Sequence, residues 1–248
     1  MKITRLAAAA LLVVASSASQ AALFTTSIGN LVPGYTPNDD FVLGTFNLGF
    51  TLNLFGTNYT SFALSNNGLA TFGGQTGSYT PSPLNTQNFG YPVVTPFWTD
   101  LDSRSDPNAD AGVYITQTAT QTVVTWKDLG YYSGNYSGDV TFQLVLNDPN
   151  AVPVGQGVIG FFYGDMSSGN DGHGATAGFG DGLSTINPGE VSYAAGTSAA
   201  VTAQLSGTSV WFDVNDSGVP SVIPEPGSVA LMLAGLGLTA GALRRKRG

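Results

Sequence analysis

From Phe46 to Leu54 a large apolar residue stands at every second position: Phe46, Leu48, Phe50, Leu52 and Leu54 alternate with Asn47, Gly49, Thr51 and Asn53. Successive side chains of an extended chain point to opposite faces, so this period of two predicts a strand with one face buried. Further strand candidates occupy residues 61–65, 69–72, 113–117, 122–127, 140–147, 158–163 and 209–214. Asn66-Asn67-Gly68 favours a tight hairpin through positive φ angles, and Asp148-Pro149-Asn150 marks another reversal. No stretch between residues 23 and 222 sustains a helical apolar stripe, and 33 glycines with 13 prolines in the chain argue the same way. The predicted fold class is all-β, an antiparallel sandwich or a partly closed barrel. Residues 22–222 are enough for one such domain with a sizeable core.

That domain must hold together by core burial and sheet hydrogen bonds, because the 248-residue chain contains no cysteine. Thiol catalysis, thiolate metal sites and iron–sulfur clusters are thereby excluded. Six of the eight Lys and Arg residues (Lys2, Arg5, Arg244, Arg245, Lys246 and Arg247) sit at the two ends, which leaves Arg104 and Lys127 between them. Of the sixteen acidic residues only Glu225 lies in a terminal segment, so the intervening part carries a net charge of −13. Such a surface repels phosphate backbones, which argues against nucleic-acid binding, and makes divalent cations plausible partners.

Both ends read as targeting segments. Lys2 and Arg5 precede a short apolar run over residues 6–15, and Ser19-Gln20-Ala21 supplies small residues for cleavage, which predicts a cleavable secretory signal over residues 1–21. At the other end Pro224-Glu225-Pro226-Gly227 leads into an apolar run that Arg244-Arg245-Lys246-Arg247 terminates. A helix over residues 227–243 would extend roughly 25 Å, near the thickness of a bilayer core, and predicts one transmembrane helix. The four cations are favoured on the cytoplasmic side, so the preceding domain should lie outside. The triplet Pro224, Glu225, Pro226, the apolar helix and the basic end beginning with Arg244 and Arg245 resemble the PEP-CTERM sorting signal of Gram-negative bacteria that make exopolysaccharide. The resemblance covers residues 223–248. It implies export through the inner membrane, cleavage near the triplet by an exosortase-type protease, and transfer to the cell surface or extracellular matrix. A permanent single-pass anchor is the alternative, because the physics of the helix is the same whether or not a protease removes it.

A second resemblance covers residues 41–198. Phe55-Gly56-Thr57-Asn58-Tyr59, Leu64-Ser65-Asn66-Asn67-Gly68-Leu69, Pro96-Phe97-Trp98-Thr99-Asp100 and Trp126 with Gly130-Tyr131-Tyr132 keep the order and spacing of the extracellular domain of nidogen, the NIDO domain. Members of that family are extracellular, occur in basement-membrane, adhesive and mucin-like proteins, and are not known as enzymes. This chain lacks the cysteine-rich modules that accompany the domain there, so assembly roles that depend on them do not carry over.

Read from the residues alone, the same blocks are mostly structural. Phe97, Trp98, Trp126, Tyr131 and Tyr132 suit core and strand-cap packing, whereas exposure on one open face would make them a stacking platform for sugar rings. Asp100, Asp102, Asp106 and Asp110 are the sharpest candidates for chemistry, since aspartates at short spacing on a loop can converge on calcium. Their spacing does not fit an EF-hand: Arg104 stands where a ligand is expected, and the glycine and terminal glutamate are missing. They are therefore read as turn-capping, solvated aspartates, with no metal and no cofactor expected. The loop from Asp213 to Gly218 starts like a calcium loop but has Pro224 where the bidentate glutamate belongs. His173, the only histidine, lies in a glycine-rich stretch that would hold a general base loosely, no G-x-S-x-G elbow is present, and Glu190 is the sole glutamate outside the triplet. No catalytic residue is assigned. The expectation is a non-enzymatic surface or matrix protein with an adhesive, polysaccharide- or protein-binding domain. A carbohydrate-active enzyme, which would need two carboxylates about 5 to 9.5 Å apart across a cleft, and a permanently tethered structural or sensing domain are the alternatives.

Overall fold

Asn30–Leu31 forms a short first strand (β1), and the alternating stretch lies in a 13-residue second one, Val42–Leu54 (β2), which buries Leu48, Leu52 and Leu54 on one face. The computed structural model describes residues 23–104, 106–133, 135–167, 174–183 and 191–223. The predicted signal over residues 1–21, the membrane helix over 227–243, the sorting residues, His173 and Glu190 lie outside the described residues. Among the described residues, no helix is long and apolar enough to cross a membrane.

The chain turns at Phe55-Gly56 and returns as Thr57–Ser65 (β3). Both turn residues have positive φ, which matches the right-handed twist of a hairpin closed by two residues. Ala70–Thr71 (β4), Val93–Trp98 (β5) and Leu101–Asp102 (β6) follow. Next come Gly112–Gln117 (β7), Gln121–Tyr131 (β8), Asn135–Asn147 (β9) and Ile159–Met166 (β10). Gly174–Gly180 (β11), Val191–Thr197 (β12), Ser209–Val214 (β13) and Pro220–Val222 (β14) complete the strands. They form two antiparallel sheets. One has six strands in the order β12-β11-β5-β4-β3-β2; the other has eight, in the order β1-β7-β8-β9-β10-β13-β14 with β6 beside β8. The chain passes from the eight-stranded sheet to the six-stranded one after β1, returns after β5, crosses again before β11 and returns after β12.

The sheets pack face to face, so the architecture is the sandwich of the two predicted alternatives. Phe97 of β5 meets Phe142 of β9 with ring centroids 5.5 Å apart, and Phe179 of β11 meets Phe212 of β13 at 4.6 Å. Edge-on and offset contacts at such distances add to the area that these rings bury. The eight-stranded sheet is covered on its other side as well. Val123, Val145 and Phe162 form a second cluster there under Phe24 and Trp211, and Gln143 exchanges hydrogen bonds with the backbone of Thr25. The leading segment thus lies across that sheet and removes the wet face that a simple alternation implies.

One helix corrects the strand-only expectation. Ser198–Leu205 (α1) buries Ser198, Val201, Thr202 and Leu205, a helical spacing in which only Val201 and Leu205 are large and apolar. A hydropathy stripe misses such a face because serine and threonine supply half of it. Thr197 caps its N-terminus, accepting the backbone N–H of Ala200 at 3.3 Å.

Candidate functional site

The aromatic blocks resolve into core and rim. Trp98, Trp126, Tyr131 and Phe97 are fully buried. Their polar ends are satisfied: Trp98 Nε1 donates to Ser78 O at 2.8 Å, Trp126 Nε1 to Ser65 O at 3.0 Å, and Tyr131 Oη to Ser167 O at 3.0 Å. Tyr132 is 44% exposed, and Phe41 and Tyr79 are exposed as well. These three attach to one region. Phe41 follows Asp40, the Tyr132 N–H donates to Asp100 O at 3.1 Å, and Tyr79 lies two residues from Gly77, whose carbonyl accepts from Asn67 Nδ2 at 3.2 Å.

The region is built by the turn between β3 and β4. Asn66-Asn67-Gly68 is a three-residue connection, closed by Ser65 N–H to Leu69 O at 2.9 Å, in which only Gly68 takes a positive φ. This corrects the expectation that positive φ runs through the turn. Gly68 is required: a Cβ there would lie 1.9 Å from Phe97 O. Both asparagines are fully buried and serve as struts rather than as surface turn residues. Asn67 Oδ1 accepts from Leu101 N at 2.8 Å, while its Nδ2 donates to Asp40 Oδ1 at 2.9 Å. Asn66 Nδ2 donates to the carbonyls of Leu101 and Asn38, and its backbone N–H to Phe41 O at 3.1 Å. The segment before β2 is drawn in beside β6, with a bridge between Asp39 and Asp102 and with Ser103 N–H on Asn38 O at 3.0 Å.

The four aspartates singled out by their spacing do not converge. Asp102 is buried and accepts from Arg104, whose Nη2 also lies 2.5 Å from Asp39 Oδ2. Asp106 accepts from the backbone N–H groups of Asn108 and Gly130. Asp110 pairs with Lys127 at 2.5 Å, and that hydrogen bond holds its carboxyl below the ordinary value. Asp100 instead joins two residues the spacing does not point to. Its carboxylate and those of Asp39 and Asp40 each present an oxygen within 4.8 Å of the others. Burial, followed by the charges of Asp40 and Asp102, raises the Asp39 carboxyl above the ordinary value, and Arg104 only partly offsets them. The signal that could have pointed here is the run Asn38-Asp39-Asp40 just ahead of the long strand.

Two shallow depressions of about 340 Å³ each lie against the β2–β3 hairpin. Hydroxyl and amide groups such as Thr45, Ser61 and Gln75 line one, and Asn47, Thr51 and Thr60 the other, without an ionisable side chain in either.

A family model described as NIDO related matches residues 15–214, and a PEP-CTERM protein-sorting motif matches residues 222–247. No curated protein and no solved structure matches the chain. The sorting motif implies processing by an exosortase and supports export to the surface of a Gram-negative cell. The first match runs through both sheets to the last residue of β13, so the chain belongs to the NIDO-related family and carries a PEP-CTERM sorting motif after that domain.

Proposed function

We propose that this chain is a non-enzymatic adhesive protein of the cell surface or extracellular matrix, released from its membrane helix by an exosortase. The observation that carries the reading is the succession of a NIDO-related domain and a sorting motif in one chain. Its binding face is the acidic end of the sandwich, where the exposed rings of Phe41, Tyr79 and Tyr132 flank the buried polar network. Aromatic faces stack on sugar rings, which suits exopolysaccharide, and the neutral hydroxyl and amide groups along the β2–β3 hairpin extend such a surface.

Mass spectrometry of the surface and matrix fractions tests the sorting half. The mature protein is expected to begin near Ala22 and to end close to Pro226. Recovery of a mature pool that retains residues 244–248 would exclude exosortase release and leave a permanent anchor.

A further inference from the structure

We propose that oxygens of Asn38, Asp39, Asp40, Asn66 and Asp100 form a calcium-binding site that clamps the segment before β2 to the β3–β4 turn and to the link between β5 and β6. The three carboxylates alone would not carry this, because acidic clusters are common on protein surfaces. What adds to them is a set of buried oxygens without donors. The Oδ1 atoms of Asn38, Asp39 and Asn66 are all buried, and none accepts a hydrogen bond. Native structures satisfy nearly every buried acceptor with protein, water or an ion, so three in one place call for a common cause.

Asn66 is the most telling of the three. Its residue is 0% exposed, and its side-chain nitrogen donates to the carbonyls of Leu101 and Asn38. Two carbonyl acceptors fix which end of the carboxamide is nitrogen, so Oδ1 cannot be exchanged for a donor by rotating the group. Leu101 and Asn38 are the neighbours of Asp100 and Asp39. The carboxamide is therefore held between the segments that bear the two carboxylates.

The allocation of oxygens agrees. Asp39 gives Oδ2 to Arg104 and keeps Oδ1, while Asp40 gives Oδ1 to Asn67 and keeps Oδ2. Two oxygens on opposite sides of a calcium ion, each about 2.3–2.6 Å from it, stand roughly 4.6–5.2 Å apart. One carboxylate oxygen from each of Asp39, Asp40 and Asp100 lies within 4.8 Å of the other two, close enough to share one ion. Electrostatics points the same way. Arg104 pairs with Asp39 and Asp102, and Asp40 and Asp100 each bring a further carboxylate oxygen within 4.8 Å of one on Asp39, which leaves the spot strongly negative. A water molecule could donate to two of these oxygens but would not relieve the repulsion between the carboxylates; a dication does both. Three carboxylates with two amide carbonyls, drawn from three chain segments, suit the irregular oxygen shell of calcium better than the strict octahedron of magnesium. The exposed side of Asp40 gives the ion a way in. The site does not depend on where the chain is finally displayed.

The test uses the full chain in mild detergent after exhaustive chelation. Isothermal titration is expected to show one calcium per chain. Calcium at one hundred times its Kd should raise the melting temperature by roughly 5–10 °C, and magnesium at equal ionic strength by far less. Asp40→Asn and Asp100→Asn should each weaken calcium binding at least tenfold. Asp110→Asn, at a residue paired with Lys127, should not change it. Asp40 is exposed, so its variant is expected to fold, which an unchanged circular dichroism spectrum verifies. The absence of saturable calcium uptake, a magnesium shift equal to that of calcium, or wild-type affinity in either Asp40→Asn or Asp100→Asn would overturn the assignment.

Discussion

At the scale of single residues, what decides a role is the partner that the fold supplies. Asp102, Asp106 and Asp110 are alike in sequence, yet one is buried against Arg104, one accepts backbone N–H groups, and one reaches Lys127 in solvent. Asp106 shows the consequence for pH. Burial raises its carboxyl above the ordinary value of 3.8, with the charges of Asp139 and Asp128 adding to the rise and the N–H groups of Asn108 and Gly130 opposing it. A carboxyl raised in the folded state keeps its proton where the unfolded chain has already lost it. Stability therefore falls as pH rises from 3.8 through the folded-state value. Asp106→Asn cannot titrate, so its stability relative to wild type should improve across that window. Urea unfolding at a series of pH values, with a chelator present throughout, measures this; parallel curves for the two proteins would show that Asp106 contributes nothing to the slope.

At the scale of elements, alternation identified the strand that has one face in the core, and covered faces obscured others. In β8 Val123, Val124, Thr125 and Trp126 are all buried, because the leading segment lies over one side of the sheet and the other sheet over the second. β11 reads Gly174-Ala175-Thr176-Ala177-Gly178-Phe179-Gly180 and offers only one large apolar residue to a pattern search, although every position after the first is buried. The helix α1 was hidden for a related reason, its buried face being half hydroxyl. Its start depends on the Thr197 hydroxyl. Replacing that cap by alanine should cost about 1 kcal/mol, with serine restoring most of it. Thermal melts would register the loss as a drop of roughly 2–4 °C, and an unchanged midpoint would mean that tertiary contacts alone hold the helix in place.

At the scale of the whole molecule, connectivity binds the two sheets into one unit. The chain passes between them after β1, after β5, before β11 and after β12, and the core is shared, with Phe161 of one sheet stacked on Phe179 of the other at 5.3 Å. Neither sheet can separate without exposing that core. Unfolding should accordingly be a single transition, with near-ultraviolet signals from the buried Trp98 and Trp126 coinciding with the far-ultraviolet strand signal. Two resolved transitions would instead mean that the sheets are independent.

Local patterns in the sequence determined the all-β class, several strand positions, the resemblance to the NIDO-related family and the sorting motif. Each depends on residues close together along the chain: a period of two, a short block of aromatics, or a triplet before an apolar run. Only the tertiary structure decided which carboxylates meet. Asn66-Asn67 reads as a tight turn in the sequence, yet both side chains are buried and bonded to the backbone of Leu101, and the bridge between Asp39 and Asp102 draws the segment of Asp39 and Asp40 beside β6. The physical reason is that the acidic site is assembled by pairings between segments far apart in the chain. Sheet register and core packing set those pairings, and neither leaves a trace in the spacing of aspartates along a single loop.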